Sequence, residues 1–557
     1  MTKAISRVSV PTSRFPRSMT LSAIAAAALA LSACGGSDDD PNPVATLPTV
    51  ADNLSVNPTG TCSMAGIGAT QLTADAAVTI LDVSTGTTGS TATDKPYCLV
   101  KVKVDPQVNI WVALPTSAWN GRFRSEGGGV YAGSVGVAVD SVKQGFVGVQ
   151  TDTGHSSFFL SGAFGMLSPG VANTQLQTDF AYRSEHLMAV IGKQLVKAYY
   201  AQDPVRSYWY GCSTGGRQGL MMAQRYPDDY DAILAGAPAI HWDRFQSYQI
   251  WPQVVMREEI GAPLLPDKLA LATQKAVASC DAADGVTDGV IDDPRTCAYD
   301  PTKDASITSS TCSSTDGTCL TPGEAMAIQK TWGGARNTSG TLLWPGLERG
   351  AALDAMAGPV PFPIPIEQAR YWVYLDPTWD WTTLTYANYE AYFNKNVEMV
   401  GPVMATDNPD LSKFRARGGK VIMYHGWGDQ LIMSEGTTMY WDSVKQAMTK
   451  ANIPLDFAKL YMAPGMSHCG GGAGPNQFGQ GSSGIVAADP KHDIFRALMA
   501  WSEKGSEPQE IVATKFTNDD PTQPVARTRP LCVYPQVARY KGSGGTDDAA
   551  NFTCSNP

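Results

Sequence analysis

Histidine is scarce in this chain, six in 557 residues, and cationic side chains are outnumbered, 42 Lys and Arg against 52 Asp and Glu. The net charge of −10 provides no basic stripe to neutralise phosphates, which argues against nucleic acid as a partner. Beyond residue 31 no segment is long and apolar enough to cross a bilayer as a helix. None of the cysteine spacings matches a zinc site. With so few histidines, a reaction that needs an imidazole base has a short list of candidates.

What is present describes an exported globular protein. Hydrophobic residues make up 43% and charged residues 17%, ample for a core. Residues 1–34 read as a signal peptide: Lys3, Arg7, Arg14 and Arg17 precede an apolar stretch over 19–31. Its end, Leu31-Ser32-Ala33-Cys34, resembles a bacterial lipoprotein signal, so a lipid on Cys34 and a place in the cell envelope are expected, with an ordinary cleavage site and secretion as the alternative. The polar, proline-containing run 35–58 reads as a flexible tether. Eleven cysteines minus Cys34 leave ten, and in an exported chain five disulfides are the default. Sequence does not dictate the connectivity. Proximity favours Cys62 with Cys98, Cys280 with Cys297, Cys312 with Cys319 and Cys532 with Cys554, leaving Cys212 for Cys469.

Those last two cysteines flank the residues of most chemical interest. Gly211-Cys212-Ser213-Thr214-Gly215 follows a short apolar run at 207–211 and precedes a helical pattern over 214–224, so Ser213 lies at a strand-turn-helix corner. Small glycines on either side allow a turn tight enough to present a serine hydroxyl. An elbow serine needs an imidazole with a carboxylate behind it, in chain order serine, acid, histidine. Asp429 sits where the apolar run 420–424 exits into a loop, and His468 follows the run 457–462. Beyond a credible acid only His492 competes with His468. The plainer reading is that Asp429 caps a helix and His468 packs beside a disulfide.

Strand-like runs at 99–104, 108–114, 122–125, 145–150 and 232–238, with helices at 184–201, 437–450 and 493–504, predict a mostly parallel sheet covered on both faces. The alternation breaks from 242 to 402 and then resumes. The expected organisation is therefore a core in two parts, 59–241 and 403–557, with 242–402 as a lid over the carboxyl edge of the sheet. Inside the lid, Asp281, Asp284 and Asp288 lie in a glycine-rich loop, which suits a hard cation such as Ca²⁺ or is simply a solvated acidic loop.

Several strings occur together in order: Trp119-Asn120-Gly121-Arg122-Phe123, Glu126-Gly127-Gly128-Gly129, Gly211 to Arg217, the acidic loop, Tyr424 to Asp429, Pro464 to Cys469, and Arg529-Pro530-Leu531-Cys532 with 538–543. Together they resemble the tannase and feruloyl esterase family, which also contains a mono(2-hydroxyethyl) terephthalate hydrolase. The resemblance implies an α/β-hydrolase fold with a large inserted lid, a Ser213-His468-Asp429 triad, and a bridge between Cys212 and Cys469. It also implies oxyanion donors at Thr214 and Val130, and Ca²⁺ held by Asp281, Asp284, Asp288 and the carbonyls of Val286 and Val290. Gly129, Trp242 and Ile432 correspond to substrate-flanking positions. No organic cofactor is implied. Lacking an arginine placed to hold a free carboxylate, with Arg370 offset, the chain reads as a hydrolase of neutral small aromatic esters of feruloyl or galloyl type. A terephthalate monoester hydrolase is the alternative, a serine peptidase using the same triad a remoter one, and a non-enzymatic ligand-binding lipoprotein the alternative of a different class.

Overall fold

A nine-stranded sheet organises the chain, as seen in a computed structural model that describes residues 43–91, 93–481 and 487–557. Its strands are β1 (Val78–Thr87), β2 (Pro96–Val104), β3 (Val108–Pro115), β4 (Arg122–Glu126), β5 (Val147–Thr151), β6 (Arg206–Cys212), β7 (Ala232–Gly236), β8 (Lys420–Gly426) and β9 (Ala458–Ala463). They lie in the order β1-β2-β3-β5-β4-β6-β7-β8-β9. The first three strands and β5 pair antiparallel, and every pairing from β5 onward is parallel. This is an α/β-hydrolase fold.

Side-chain alternation explains why the parallel strands read as unbroken apolar runs. Successive residues point to opposite faces, and both faces are covered. Trp209, Ile233, Val421 and Met423 join one buried layer with helices α1 (Ser184–Tyr200) and α2 (Thr214–Arg225). Their neighbours Tyr208, Leu234, Ile422 and Tyr424 join a second layer on the other face, which includes Phe495, Leu498 and Trp501 of the helix Ile494–Lys504. Strand β1, absent from the sequence expectation, is an edge strand whose burial alternates between half-buried and exposed. Its aliphatic residues Val78, Ile80, Leu81 and Val83 are interrupted by Thr and Asp and followed by Ser, Thr and Gly, so it lacks the unbroken apolar run of a strand buried on both faces.

Residues 1–42, with the expected signal peptide, Cys34 and the first part of the tether, lie outside the described residues. The remainder of the expected tether is corrected: residues 44–58 lie against the core. Val50 is buried, Leu54 fills the space above Gly121, Ala45 N–H donates to the Ala416 carbonyl, and Val56 forms an antiparallel bridge with Trp119. The apolar residues scattered through this polar run supply the adhesion.

Five disulfides join Cys62 to Cys98, Cys212 to Cys469, Cys280 to Cys297, Cys312 to Cys319 and Cys532 to Cys554. These are the pairs that proximity selects, and they belong to an oxidising compartment, as in an exported protein. Among the described residues no helix is long and apolar enough to cross a membrane.

Between β7 and β8 the chain makes a long, mostly helical excursion that begins with α3 (Trp242–Gln249) and includes α4 (Pro266–Cys280). Its own apolar cluster takes in Tyr131, Ile432 and Met433, which lie on core loops after β4 and β8. The excursion touches the loops at the carboxyl ends of the strands: Tyr131 Oη donates to the Ile364 carbonyl and Gln249 Nε2 to the Leu431 carbonyl.

Glu348 of the excursion is a strained point of this packing. Its Oε1 is sealed from solvent without a hydrogen-bond partner. Burial, reinforced by the negative charge of Glu435, pushes its carboxyl up to about 8. Below pH ~4.5 the group is neutral in folded and unfolded chains alike. As pH rises towards 8 the unfolded chain sheds a proton that the folded chain retains, so stability falls across that window. Glu348→Gln is therefore expected to raise the melting temperature above that of the wild type, by a margin that widens from pH ~4.5 to ~8 in thermal unfolding. A margin independent of pH would contradict this.

Candidate active site

Ser213 occupies a backbone conformation that side-chain-bearing residues rarely adopt, φ 65° and ψ −124°. Such a turn costs about 1–3 kcal/mol, and the surroundings impose it. Ser213 N–H donates to the Gly236 carbonyl at 2.9 Å, while its own carbonyl accepts from Arg217 N–H at 3.1 Å and Ala239 N–H at 3.2 Å. The flanking glycines are sterically required: a Cβ on Gly211 would lie 2.6 Å from the Gly215 backbone, and one on Gly215 would lie 3.0 Å from the Gly128 carbonyl. The half-buried serine thus stands at the carboxyl end of β6, where α2 begins.

The acid and the histidine meet on neighbouring strand exits. His468 Nδ1 lies 2.7 Å from Asp429 Oδ2. The same oxygen lies 2.9 Å from His425 Nε2, and Oδ1 accepts the N–H groups of Leu431 and Ile432 at 2.8 and 2.9 Å. Burial alone would push the Asp429 carboxyl up. The charge of His468 and the hydrogen bonds from His425 and His468 outweigh it and hold the carboxyl well below the usual carboxylate range. A carboxylate accepts only, so His468 Nδ1 carries a proton, and in the neutral ring Nε2 is then the acceptor. His425, which sequence reasoning passed over, is wholly buried and reaches Thr437 Oγ1 at 2.7 Å with its other nitrogen.

The Cys212–Cys469 bridge brings the serine and histidine segments together, with Cα atoms 6.0 Å apart across a separation of 257 residues. In the chain-entropy model a closure of this length is worth about 5 kcal/mol.

Thr214 is the first residue of α2, so its N–H has no intrahelical partner. Its Oγ1 donates to the Val130 carbonyl at 2.7 Å. Val130 itself has φ 53°, unusual for a β-branched residue. Among the described residues neither the Thr214 N–H nor the Val130 N–H has a protein acceptor. Gly129 is exposed, with open space where a side chain would be. Trp242 and Ile432 are buried instead, Trp242 among Tyr131, Phe180 and Phe245 with ring centroids 5.7–5.9 Å away. One turn along α3 from Trp242, Gln246 is buried with neither amide atom hydrogen-bonded, and the Oε1 of Gln249 is likewise unpartnered. Arg370 donates to the Trp379 carbonyl within its own segment.

Two clefts of 450 and 440 Å³ open elsewhere, one beside Arg124, Glu126 and Tyr210 and the other beside Val277, Trp427 and Gly465. Neither is lined by Ser213, Asp429 or His468.

In the acidic loop, Asp281 accepts from the N–H groups of Asp288 and Gly289, and Asp284 from that of Val286. Asp288 pairs with Arg527 and Arg529 of the C-terminal ribbon. Asp292 is a further carboxylate of this cluster, raised to about 7 by burial and by Asp284. The donor set is entirely oxygen, as a hard cation requires. Val286 and Val290 are buried. Among the described residues the one trio of ligating atoms gathered within 4.8 Å is Cys312, Asp316 and Cys319, and its two sulfurs are bonded to each other.

The family model described as tannase and feruloyl esterase matches residues 91–555. The chain belongs to the tannase and feruloyl esterase family. A relative from Arthroderma benhamiae, named "Probable feruloyl esterase", is 34% identical over 467 residues, 80% of this chain and 82% of the relative. The crystal structure of feruloyl esterase B from Aspergillus oryzae superposes with a TM-score of 0.76 at 29% identity, covering 86% of this chain and 97% of that one. The tannin acyl hydrolase from Aspergillus niger shares the fold, with a TM-score of 0.74 at 23% identity over 90% and 97% of the two chains. A member of the tannase and feruloyl esterase family is a carboxylic ester hydrolase, which sets aside the non-enzymatic binding protein and the peptidase.

Replacing Cys212 and Cys469 together by serine is expected to cost about 2–5 kcal/mol of stability in denaturant titration under oxidising conditions. Turnover per folded molecule is expected to fall with it, because the histidine segment loses its covalent tie to the serine. Unchanged turnover would show that Asp429 and the surrounding loops suffice to hold His468.

Proposed function

We propose that this chain hydrolyses esters of small hydroxylated aromatic acids, of feruloyl or galloyl type, through a Ser213-His468-Asp429 triad. The observation that carries the reading is the 2.7 Å contact between His468 Nδ1 and the buried Asp429 carboxylate, one residue from the bridge that ties His468 to the Ser213 turn.

In this reading His468 Nε2 takes the Ser213 proton as Oγ attacks the ester carbonyl, and Asp429 orients the imidazole and stabilises its charged form. The tetrahedral oxyanion is received by the N–H groups of Thr214 and Val130, which lack other acceptors. The imidazolium then protonates the departing alcohol. Water, activated by the same histidine, releases the acid from the acyl-enzyme. The excursion between β7 and β8 serves as the lid, with Trp242 and Ile432 supplying apolar wall and Gly129 leaving the entrance open. The unpartnered buried amide of Gln246 and the unpartnered Oε1 of Gln249 favour acyl rings that carry hydroxyl groups, since such atoms are costly unless a ligand satisfies them. Arg370 donates within its own segment, to the Trp379 carbonyl, and the terephthalate monoester reading gains no support from it.

Purified protein is expected to release acid from methyl ferulate and methyl gallate faster than from methyl cinnamate and mono(2-hydroxyethyl) terephthalate. Ser213→Ala is expected to lose at least about 10³-fold in kcat. Hydrolysis that survives Ser213→Ala would refute the triad, and a preference for the unhydroxylated ester would refute the substrate class.

Calcium belongs to the same proposal. Asp281, Asp284 and Asp288, with the carbonyls of Val286 and Val290, would hold it, and Asp292 adds a fourth carboxylate to the set. The ion would supply positive charge to a loop in which Arg527 and Arg529 both bind Asp288. A chelator is expected to lower the melting temperature and added Ca²⁺ to restore it, with about 2.7 kcal/mol at stake when free ion is a hundredfold above Kd. A melting temperature indifferent to both would refute the site.

A further inference from the structure

Behind the Gly127–Val130 loop lies a short chain of buried polar groups that the reaction as described does not use. Gln218, on α2 one turn after Thr214, accepts the N–H of Gly128 on Oε1 at 2.9 Å. Its Nε2 donates to Glu185 Oε1 on α1. Both side chains are buried, Gln218 1% exposed and Glu185 0%. The other Glu185 oxygen has no partner, and the backbone carbonyl of Glu185 accepts from Tyr230 Oη.

The chemistry of the two ends allows one orientation of the amide between them. A backbone N–H can only donate, so Gln218 must turn its oxygen to Gly128. Glu185 Oε1 accepts from the Gln218 nitrogen; burial raises this carboxyl to about 7, and above that pH it is an acceptor only. Both ends call for the same orientation, so each reinforces the other. The consequence reaches the reaction because Gly128 is two residues before Val130, whose carbonyl is held by Thr214 Oγ1. One helix, α2, thus carries the first oxyanion donor and clamps the loop of the second from both sides. The packing leaves little alternative, since a Cβ on Gly127 would lie 2.6 Å from Gly215 and 3.0 Å from Gln218 Oε1.

We infer that Gln218 and Glu185 are positioning residues that set the Val130 N–H against the developing oxyanion, Glu185 acting through the orientation it imposes on Gln218. The inference rests on the serine-esterase reading above. It places the effect in the transition state rather than in substrate binding, because the oxyanion exists only there. Gln218→Met removes the acceptor at near-constant volume. Glu185→Gln leaves the volume but weakens the hold on Gln218, because an amide can present either a nitrogen or an oxygen to it and its oxygen is a weaker acceptor than a carboxylate. The exchange variant Glu185→Gln with Gln218→Glu restores an acceptor for Gly128 and a donor facing it.

The test is kcat and KM on methyl ferulate or whichever ester the wild type turns over, with active sites counted by burst titration so that unfolded protein does not enter. Each single substitution is expected to lower kcat about 10- to 100-fold with KM within about threefold, and the exchange variant to recover to within about threefold of the wild-type kcat. Single variants with wild-type kcat per titrated site would overturn the inference. Should the single variants fail to fold, the exchange variant decides: a kcat more than tenfold below wild type would overturn it. Wild-type protein that hydrolyses no ester would instead remove the underlying reading, a result distinct from either.

Discussion

The backbone turn at Ser213 is the constraint around which the rest of the structure is arranged. At φ 65° the residue cannot relax into a strand or a helix, so the chain must leave β6 abruptly and begin α2 at once. The turn is tolerable because Gly211 and Gly215 allow backbone to approach backbone, and because carbonyl and amide groups of the neighbouring loop, Gly236 and Ala239, bond to the serine itself. The strain is localised, and what it exposes is one hydroxyl at the end of a parallel sheet beside an unsatisfied helix N-terminus.

A second organising element is the carboxylate of Asp429. Removed from water, it has its oxygens met by two imidazoles and two backbone N–H groups. Such saturation makes a buried charge tolerable and also fixes geometry, since each donor comes from a different direction. His468 is therefore constrained on one side by the acid and on the other by the Cys212–Cys469 bridge. The excursion between β7 and β8 meets the same region: α3 starts in the loop bonded to Ser213, and its last residue, Gln249, donates to the Leu431 carbonyl beside Asp429.

Reading the chain alone recovered the features that depend on near neighbours. The parallel strands announced themselves because both faces are buried, and the elbow because its glycines are local necessities. Beside the local cysteine pairs, Cys212 and Cys469 were left for each other by elimination. Strand β1 escaped because an edge strand needs no apolar run, and residues 44–58 looked like a tether because a few spaced apolar side chains suffice to lay a polar segment on a core. His425, Glu185 and Gln218 carried no signal. A histidine four residues from an acid, or a glutamine four residues into a helix, is unremarkable until the fold shows what it faces.

The sequence by itself determined the fold class, the order of serine, acid and histidine, and the family, because these rest on periodicity, local turn chemistry and strings of residues in a set order. Tertiary structure decided what depends on direction and burial. It set which nitrogen of His468 meets Asp429, which amides are left without partners, and how α2 holds the Gly127–Val130 loop. Those properties arise from groups far apart in the chain, 39 residues between Asp429 and His468 and 90 between Gly128 and Gln218. Their hydrogen bonds acquire value only once folding has removed the competing water.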